Sequence, residues 1–348
     1  MGIATRRTRP IILTLVTVAA SLVWASGVTA AAGRSAAPQH ASAGKPVRVA
    51  LFTVTTASTY NQQFYAAAKA VVKKMGPATV TLFDASFNTQ KQLSQLRDAL
   101  VSKKFDAWVL NPNDGNAAAS VVREALKKGI KVVCLFTPCG ASFLAKTVQI
   151  PGLVGFVAEG GFDVNGRYIA DETAKACASK NPCNVFYMPG VSSAPYEEAR
   201  TAGWTAELKK YPNIKVVATQ DGQYAEATAL TVTQNVLQAH PEINVIATAS
   251  DQMTLGAEKA VAASNDQGKV LLVGNGAGSS GVSAVKAGRW YATVISLPYT
   301  QATVATQLAI QAARGASING KVVDVLQGHP HYITKATAGS FKPQWSGA

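Results

Sequence analysis

Acidic side chains are in short supply in this sequence: 19 Asp and Glu stand against 33 Lys and Arg, a formal net charge of +14 over 348 residues. Arg6, Arg7 and Arg9 account for part of the surplus at the start of the chain. Much of the rest is lysine on stretches with helical periodicity, such as Lys69, Lys73, Lys74, Lys127, Lys128, Lys209 and Lys210. Lysines near helix C-termini suit the helix dipole. They are not gathered with aromatic residues, which are only 7% of the chain, into the basic stripe of a nucleic-acid interface. Histidine is scarce too. The four present are His40 in a Ser, Ala and Gly stretch, His240 before Pro241, and His329 and His331 around Pro330. None suggests a Ser-His-Asp or Cys-His arrangement, and no adjoining Cys or carboxylate completes a metal set around the last two. The four cysteines, Cys134, Cys139, Cys177 and Cys183, lack the Cys-x-x-Cys spacing of a zinc site. One motif invites a cofactor: Gly276-Ala277-Gly278-Ser279-Ser280-Gly281 fits G-x-G-x-x-G after an apolar run. A dinucleotide site wants an acidic residue about 20 positions further on, and nothing acidic occurs between Gly281 and Asp324. The motif therefore reads as a Gly-rich turn opening a helix. Nothing in the chain marks a catalytic residue, a metal site or a cofactor site.

What is there begins with an export-like segment. Arg6, Arg7 and Arg9 precede an uncharged apolar run over residues 11–24, and Val28-Thr29-Ala30 offers the small residues that a signal peptidase reads. Residues 1–30 are thus expected to be a signal peptide, with an uncleaved anchor as the alternative, and residues 31–45 a Ser, Ala and Gly linker. No Cys follows the apolar run, so a lipid anchor is not supported. Export takes the four cysteines to a compartment where disulfides persist. Of the three possible connectivities, the local pairs, Cys134 with Cys139 and Cys177 with Cys183, are favoured.

From residue 46 onward, short apolar runs alternate with amphipathic stretches. Strands are expected at 47–53, 79–83, 107–110 and 131–136, with helices at 61–75, 89–102 and 117–128. The pattern restarts with strands at 154–157, 184–187, 214–219, 245–248 and 270–273, and helices at 166–179, 197–210, 225–239 and 255–264. Such alternation predicts parallel sheets flanked by helices, and the restart predicts an α/β protein of two doubly wound lobes. Ligands of such sheets sit beyond the carboxyl ends of the strands. That directs attention to residues 55–61, 111–114, 136–139, 189–198, 250–252, 275–279 and 296–299.

Several short segments, in their order and spacing, resemble a known family. They are the opening strand and loop to Tyr60 and Asn61, Leu110-Asn111-Pro112-Asn113-Asp114, Thr233-Gln234-Asn235 leading to Ala239-His240-Pro241-Glu242, Ser250-Asp251-Gln252-Met253 with Leu255-Gly256-Ala257, Val273-Gly274, and Leu297-Pro298. Over residues 45–333 the chain resembles the type I periplasmic sugar-binding proteins, the ribose-binding group of ABC-importer receptors. The resemblance implies two lobes joined by a three-segment hinge: residues 46–159 and 298–327 form the N-terminal lobe, and residues 160–297 and 328–345 the C-terminal lobe. It implies a monomeric, non-catalytic receptor, periplasmic or secreted, that closes over a sugar or similar small polar ligand and presents it to an ABC permease in the membrane. A receptor for an amine, a nucleoside or a signal molecule that feeds a sensor, and a secreted enzyme, are the competing readings.

The resemblance also implies site residues. Tyr60 and Asn61 fall where the family makes first-loop contacts, and Tyr224 falls at its second-lobe aromatic. Phe136 and Thr137 stand where the ribose group has an Asp-Arg pair, Ser250 where it has Asn, Ser296 where it has Gln, and Glu198 in place of its main sugar-binding Arg. Tyr60, Phe136 and Tyr224 offer flat faces suited to a sugar or a planar ring, while Asn61, Glu198, Ser250, Asn275 and Ser296 offer orienting hydrogen bonds. Exchanging Arg for Glu198 removes five donors and adds an acceptor, favouring a neutral polyol or an amine over an anion. Arg200 is read as a structural arginine, Asp251 as a helix cap, and Asn111 and Asp114 as turn and cap residues.

Overall fold

The structure, a computed structural model, describes Gly2 and residues 45–348. Apart from Gly2 and Lys45, the expected signal peptide and linker lie outside the described residues. The first sheet is built from β1 (Val47–Thr53), β2 (Ala78–Asp84), β3 (Ala107–Leu110), β4 (Lys131–Leu135) and β5 (Gly155–Ala158). Between its strands run α1 (Thr59–Met75), α2 (Thr89–Ser102) and α3 (Gly115–Lys127). All four residues of β3 and all four of β5 are buried, because helices cover both faces of a parallel sheet and leave no side for polar alternation. Each helix start is specified locally. Ser58, Asn88 and Asp114 have extended backbones, and their side chains accept from the first free N–H groups of α1, α2 and α3. The cap at Asp114 is the one expected from the sequence.

The second sheet takes over with α4 (Phe162–Ala176), β6 (Cys183–Met188), α5 (Pro195–Leu208), β7 (Ile214–Thr219), α6 (Glu226–Ala239), β8 (Val245–Thr248), α7 (Asp251–Ala263), β9 (Leu271–Gly276), α8 (Ser279–Lys286) and β10 (Ala292–Ile295). The chain then returns to the first lobe with α9 (Pro298–Ala313) and β11 (Lys321–Asp324) and crosses back for β12 (Tyr332–Thr334). The strand orders are β11-β5-β4-β3-β1-β2 and β12-β10-β9-β8-β6-β7. Every pairing between these strands is parallel except β10 with β12. The fold is the expected pair of parallel-sheet α/β lobes, and the chain passes between them at residues 159–161, 296–297 and 325–331.

Both disulfides are the local pairs. Cys134 with Cys139 closes a small ring after β4 that contains Phe136 and Thr137, and Cys177 with Cys183 ties the end of α4 to the start of β6. Helices α4 and α5 approach until their backbones touch: a Cβ on Gly166 would lie 2.0 Å from the Arg200 carbonyl oxygen, and one on Gly203 would lie 2.1 Å from that of Asp163.

Candidate functional site

The carboxyl ends of the two sheets face each other across a cavity of about 100 Å³, several times the roughly 10–15 Å³ of such space that one water needs. From the first lobe Tyr60, Asn61, Phe136 and Thr137 line it; from the second come Tyr224, Ser250 and Asn275, with Ser296 at the second crossing. Glu198 is not brought to this site. It is exposed on the outer side of α5 beside Ala202 and Thr205. The correction follows from helical period: positions 197, 200 and 204 share the buried face, and residue 198 is turned about 100° from 197. The carboxylate that does enter the site's framework is Glu197, and the arginine that lines the cavity is Arg200.

Aromatic rings form a nearly continuous wall across both lobes. Tyr60 and Phe136 have centroids 5.5 Å apart, Phe136 and Phe162 5.0 Å, Phe162 and Tyr196 5.6 Å, and Tyr196 and Tyr224 6.5 Å. All these separations lie in or near the range where edge and offset contacts are favourable. Phe136 (φ 62°) and Tyr224 (φ 52°) both occupy the left-handed region, which costs an L-residue about 1–2 kcal/mol. With Phe87 (φ 56°), which also lines the cavity, the surrounding structure holds three aromatic residues in this conformation around one site.

Behind the second-lobe wall lies a buried polar network. Arg200 Nη1 donates to Glu197 Oε1 at 2.6 Å and to the Tyr224 hydroxyl at 2.9 Å, and its Nε donates to Asn165 Oδ1 at 2.8 Å. The Tyr224 hydroxyl donates to the other Glu197 oxygen. Asn165 Nδ2 donates to Asn275 Oδ1 at 2.9 Å, and Asn275 Nδ2 to the Ala249 carbonyl at 2.8 Å. Burial pulls the Arg200 pKa down, but Glu197 and Tyr224 more than compensate, so it stays well above the usual arginine value. The arginine and carboxylate neutralise each other. Nη2 of Arg200 is left without a partner among the described residues.

The first lobe presents amides. Buried Gln92 braces the loop after β3 by donating to the Asn111 carbonyl at 3.0 Å and accepting from Asn113 N at 2.8 Å. Thr137 Oγ1 donates to Asn111 Oδ1 at 3.2 Å. Asn111 Nδ2 is buried without a partner among the described residues, at a residue that lines the cavity; Asn111 is thus more than a turn residue. Tyr60 is fixed by Gln301, whose Nε2 donates to its hydroxyl at 3.0 Å. The lobes meet directly where Gln252 Nε2 donates to Ser58 Oγ at 3.1 Å. Ser250 serves as the cap of α7, accepting from Met253 N at 3.4 Å. Asp251 is structural but is not the cap. Its carboxyl accepts from Gly278 N and Thr293 Oγ1, each at 2.7 Å, and so pins the glycine-rich turn.

Two carboxyls titrate far from their ordinary range. Burial pushes Asp251 up to about 7. Burial likewise raises Glu159, which accepts from Leu297 N between the first and second crossings, to about 7. For a raised carboxyl the folded state binds the proton more tightly, so its contribution is complete below the ordinary carboxylate pKa and is lost as pH rises through the folded pKa. Urea unfolding is therefore expected to show higher stability at pH 5 than at pH 8, by about 2 kcal/mol for each group. Asp251→Asn should remove about half of that difference; an unchanged pH dependence in this variant would refute the assignment.

Phe162, Asn165, Tyr196, Arg200 and Trp345 also line the cavity without having been marked as contacts from the sequence. Among the described residues no group of three or more His, Cys, Asp or Glu is placed to hold a metal.

This architecture has relatives. The periplasmic binding protein domain family matches residues 49–317. The ribose import binding protein of Bacillus subtilis is 27% identical over 81% of this chain and 88% of its own length. The D-allose-binding periplasmic protein of Escherichia coli is 31% identical over 67% of this chain and 72% of its own. A solved structure of an ABC transporter periplasmic solute binding protein from Actinobacillus succinogenes, with bound D-allose, superposes with a TM-score of 0.74 at 27% identity, covering 85% of this chain and all of that one. With the family matched across both lobes and the cavity lying between them, the chain belongs to the periplasmic binding protein family, in its type I two-lobed form.

Proposed function

We propose that this protein is the extracytoplasmic receptor of an ABC importer and captures a neutral sugar or polyol in the interlobe cavity. The observation that carries the reading is the combination of an aromatic wall with a partnerless neutral donor. Asn111 Nδ2 is buried and free, Arg200 is already neutralised by Glu197, and Glu198 lies outside the cavity. A ligand dense in hydroxyl oxygens supplies the acceptor that Asn111 lacks, and ring faces bury its apolar C–H surface. An anion would find no unbalanced cation to meet it, and the carboxyl on the cavity wall, Glu159, is occupied by the Leu297 N–H and raised by burial to about 7. Relatives named for ribose and for D-allose support the same ligand class. The receptor acts as a monomer and without catalysis, handing its closed form to a membrane permease.

A thermal-shift titration of the purified protein with D-ribose, D-allose, myo-inositol, adenosine and spermidine tests this. Ligand at a hundredfold excess over its Kd stabilises by about 2.7 kcal/mol, a rise of several degrees. A response confined to sugars or polyols is expected. A response to spermidine or adenosine alone would overturn the ligand class.

A further inference from the structure

Residues 341–348 are not part of the family match, which ends at residue 317, yet they reach the cavity. Trp345 lines it and is 5% exposed. On the first-lobe side its ring meets Tyr60 edge-on, with centroids 5.4 Å apart at 87°. On the second-lobe side its Nε1 donates to the Gly276 carbonyl at 2.8 Å. The neighbouring residues grip both lobes. Ser279 N and Ser280 N, at the start of α8, donate to the Trp345 and Ser346 carbonyls, each at 2.9 Å. Thr300, in the first turn of α9, donates its N–H to Gln344 Oε1 at 3.0 Å and accepts from Gln344 Nε2 at 2.6 Å. Ser346 Oγ donates to Thr59 Oγ1 at 2.9 Å. The segment thereby satisfies N–H groups that a helix start leaves open on α8 of one lobe and α9 of the other.

The glycine-rich turn at residues 276–281 is built to receive it. Gly276 has φ 137°, and a Cβ there would lie 2.3 Å from the Trp345 ring; a Cβ on Gly278 would lie 2.4 Å from Gly347 Cα. Only glycine allows both that backbone and that approach.

We propose that residues 341–348 form a clamp across the cleft, and that Trp345 is a specificity-determining wall of the cavity, limiting the size of ligand accepted. The clamp rests on contacts that need no ligand; the specificity rests on the sugar-receptor reading above. Moving the lobes apart must separate Trp345 from Tyr60 or from Gly276, so ligand exchange and undocking of this segment are one motion.

The test uses the full chain and its Trp345→Ala, Trp345→Phe and Gln344→Ala variants. Without ligand, the amides of Ser279, Ser280 and Thr300 should exchange with deuterium about tenfold faster in Trp345→Ala, with a larger radius of gyration in solution scattering. Gln344→Ala should free Thr300 first. With D-ribose and D-allose, Trp345→Ala should shift the ratio of the two dissociation constants by about tenfold toward the larger D-allose, and Trp345→Phe should fall between. A ratio that stays constant while both affinities fall together would overturn the specificity role. Unchanged amide exchange and scattering would overturn the clamp. If neither sugar binds the unmodified protein, the sugar reading and the specificity role fall together, and the ligand-free measurements alone decide the clamp.

Discussion

Replacing Arg200 by Met is expected to cost about 3–5 kcal/mol of stability and to abolish ligand capture. The Glu197 side chain is fully buried and the Arg200 side chain only 5% exposed. Removing the guanidinium strands a carboxylate in the interior beside the Tyr224 hydroxyl, and Asn165 Oδ1 loses its donor. Leaving a buried charge unpartnered is far more costly than removing the pair. The double variant Glu197→Leu with Arg200→Met should therefore recover much of the stability while capture stays lost. Urea unfolding of the two variants beside wild type, with calorimetric titration of whichever sugar binds, separates the effects. Equal destabilisation by single and double variants would show that shape rather than charge holds this corner of the second lobe.

The second large effect is predicted at the α4–α5 contact that backs the cavity. Gly166→Ala places a methyl 2.0 Å from the Arg200 carbonyl oxygen, and Gly203→Ala places one 2.1 Å from that of Asp163. Backbone cannot yield as a flexible side chain would, so α5 must move off α4. Overpacking of this kind costs about 1–3 kcal/mol. Because Tyr196, Glu197 and Arg200 ride on α5 and Asn165 on α4, the same shift should disturb the network and weaken ligand binding by about tenfold, equivalent to roughly 1.4 kcal/mol. Either variant with a wild-type urea midpoint and wild-type affinity would refute close packing as what positions Arg200.

Most of the strands were legible because a parallel strand buried on both faces has to be written as an apolar run; residues 107–110 and 245–248 are found where those runs place them. β10, β11 and β12 were not among the expected strands: Ala292–Ile295 is a four-residue run interrupted by Thr293, Lys321–Asp324 is an edge strand with exposed positions, and Tyr332–Thr334 has only three residues. The site was legible to the level of loops. Residues following a strand converge by topology, which brings Tyr60, Phe136, Tyr224 and Asn275 around one cavity. Residues on helices needed one more step. Counting 197, 200, 203, 204 and 207 along the buried face of α5 exposes the error over Glu198 and identifies Arg200, a phase that comparison of aligned positions does not supply. Trp345 carried no signal of its own. Its only trace was a glycine-rich motif that failed as a cofactor site because the glycines make room for another part of the same chain.

The ring closed by Cys134 and Cys139 gives the two jaws of the cleft different histories. Phe136, held at φ 62°, and Thr137, bonded to Asn111, lie inside a covalent loop. The first-lobe face is thus finished at the moment of oxidation, before any ligand arrives, and its residues have little freedom left to lose on binding. The opposing face, with Tyr224 and Arg200, lies in no such ring and is held by packing, hydrogen bonds and the Arg200–Glu197 ion pair. A chain folded under reducing conditions would lack this ring and is expected to present a slacker first jaw, so the order of the binding surface depends on the oxidation of two cysteines that touch no ligand.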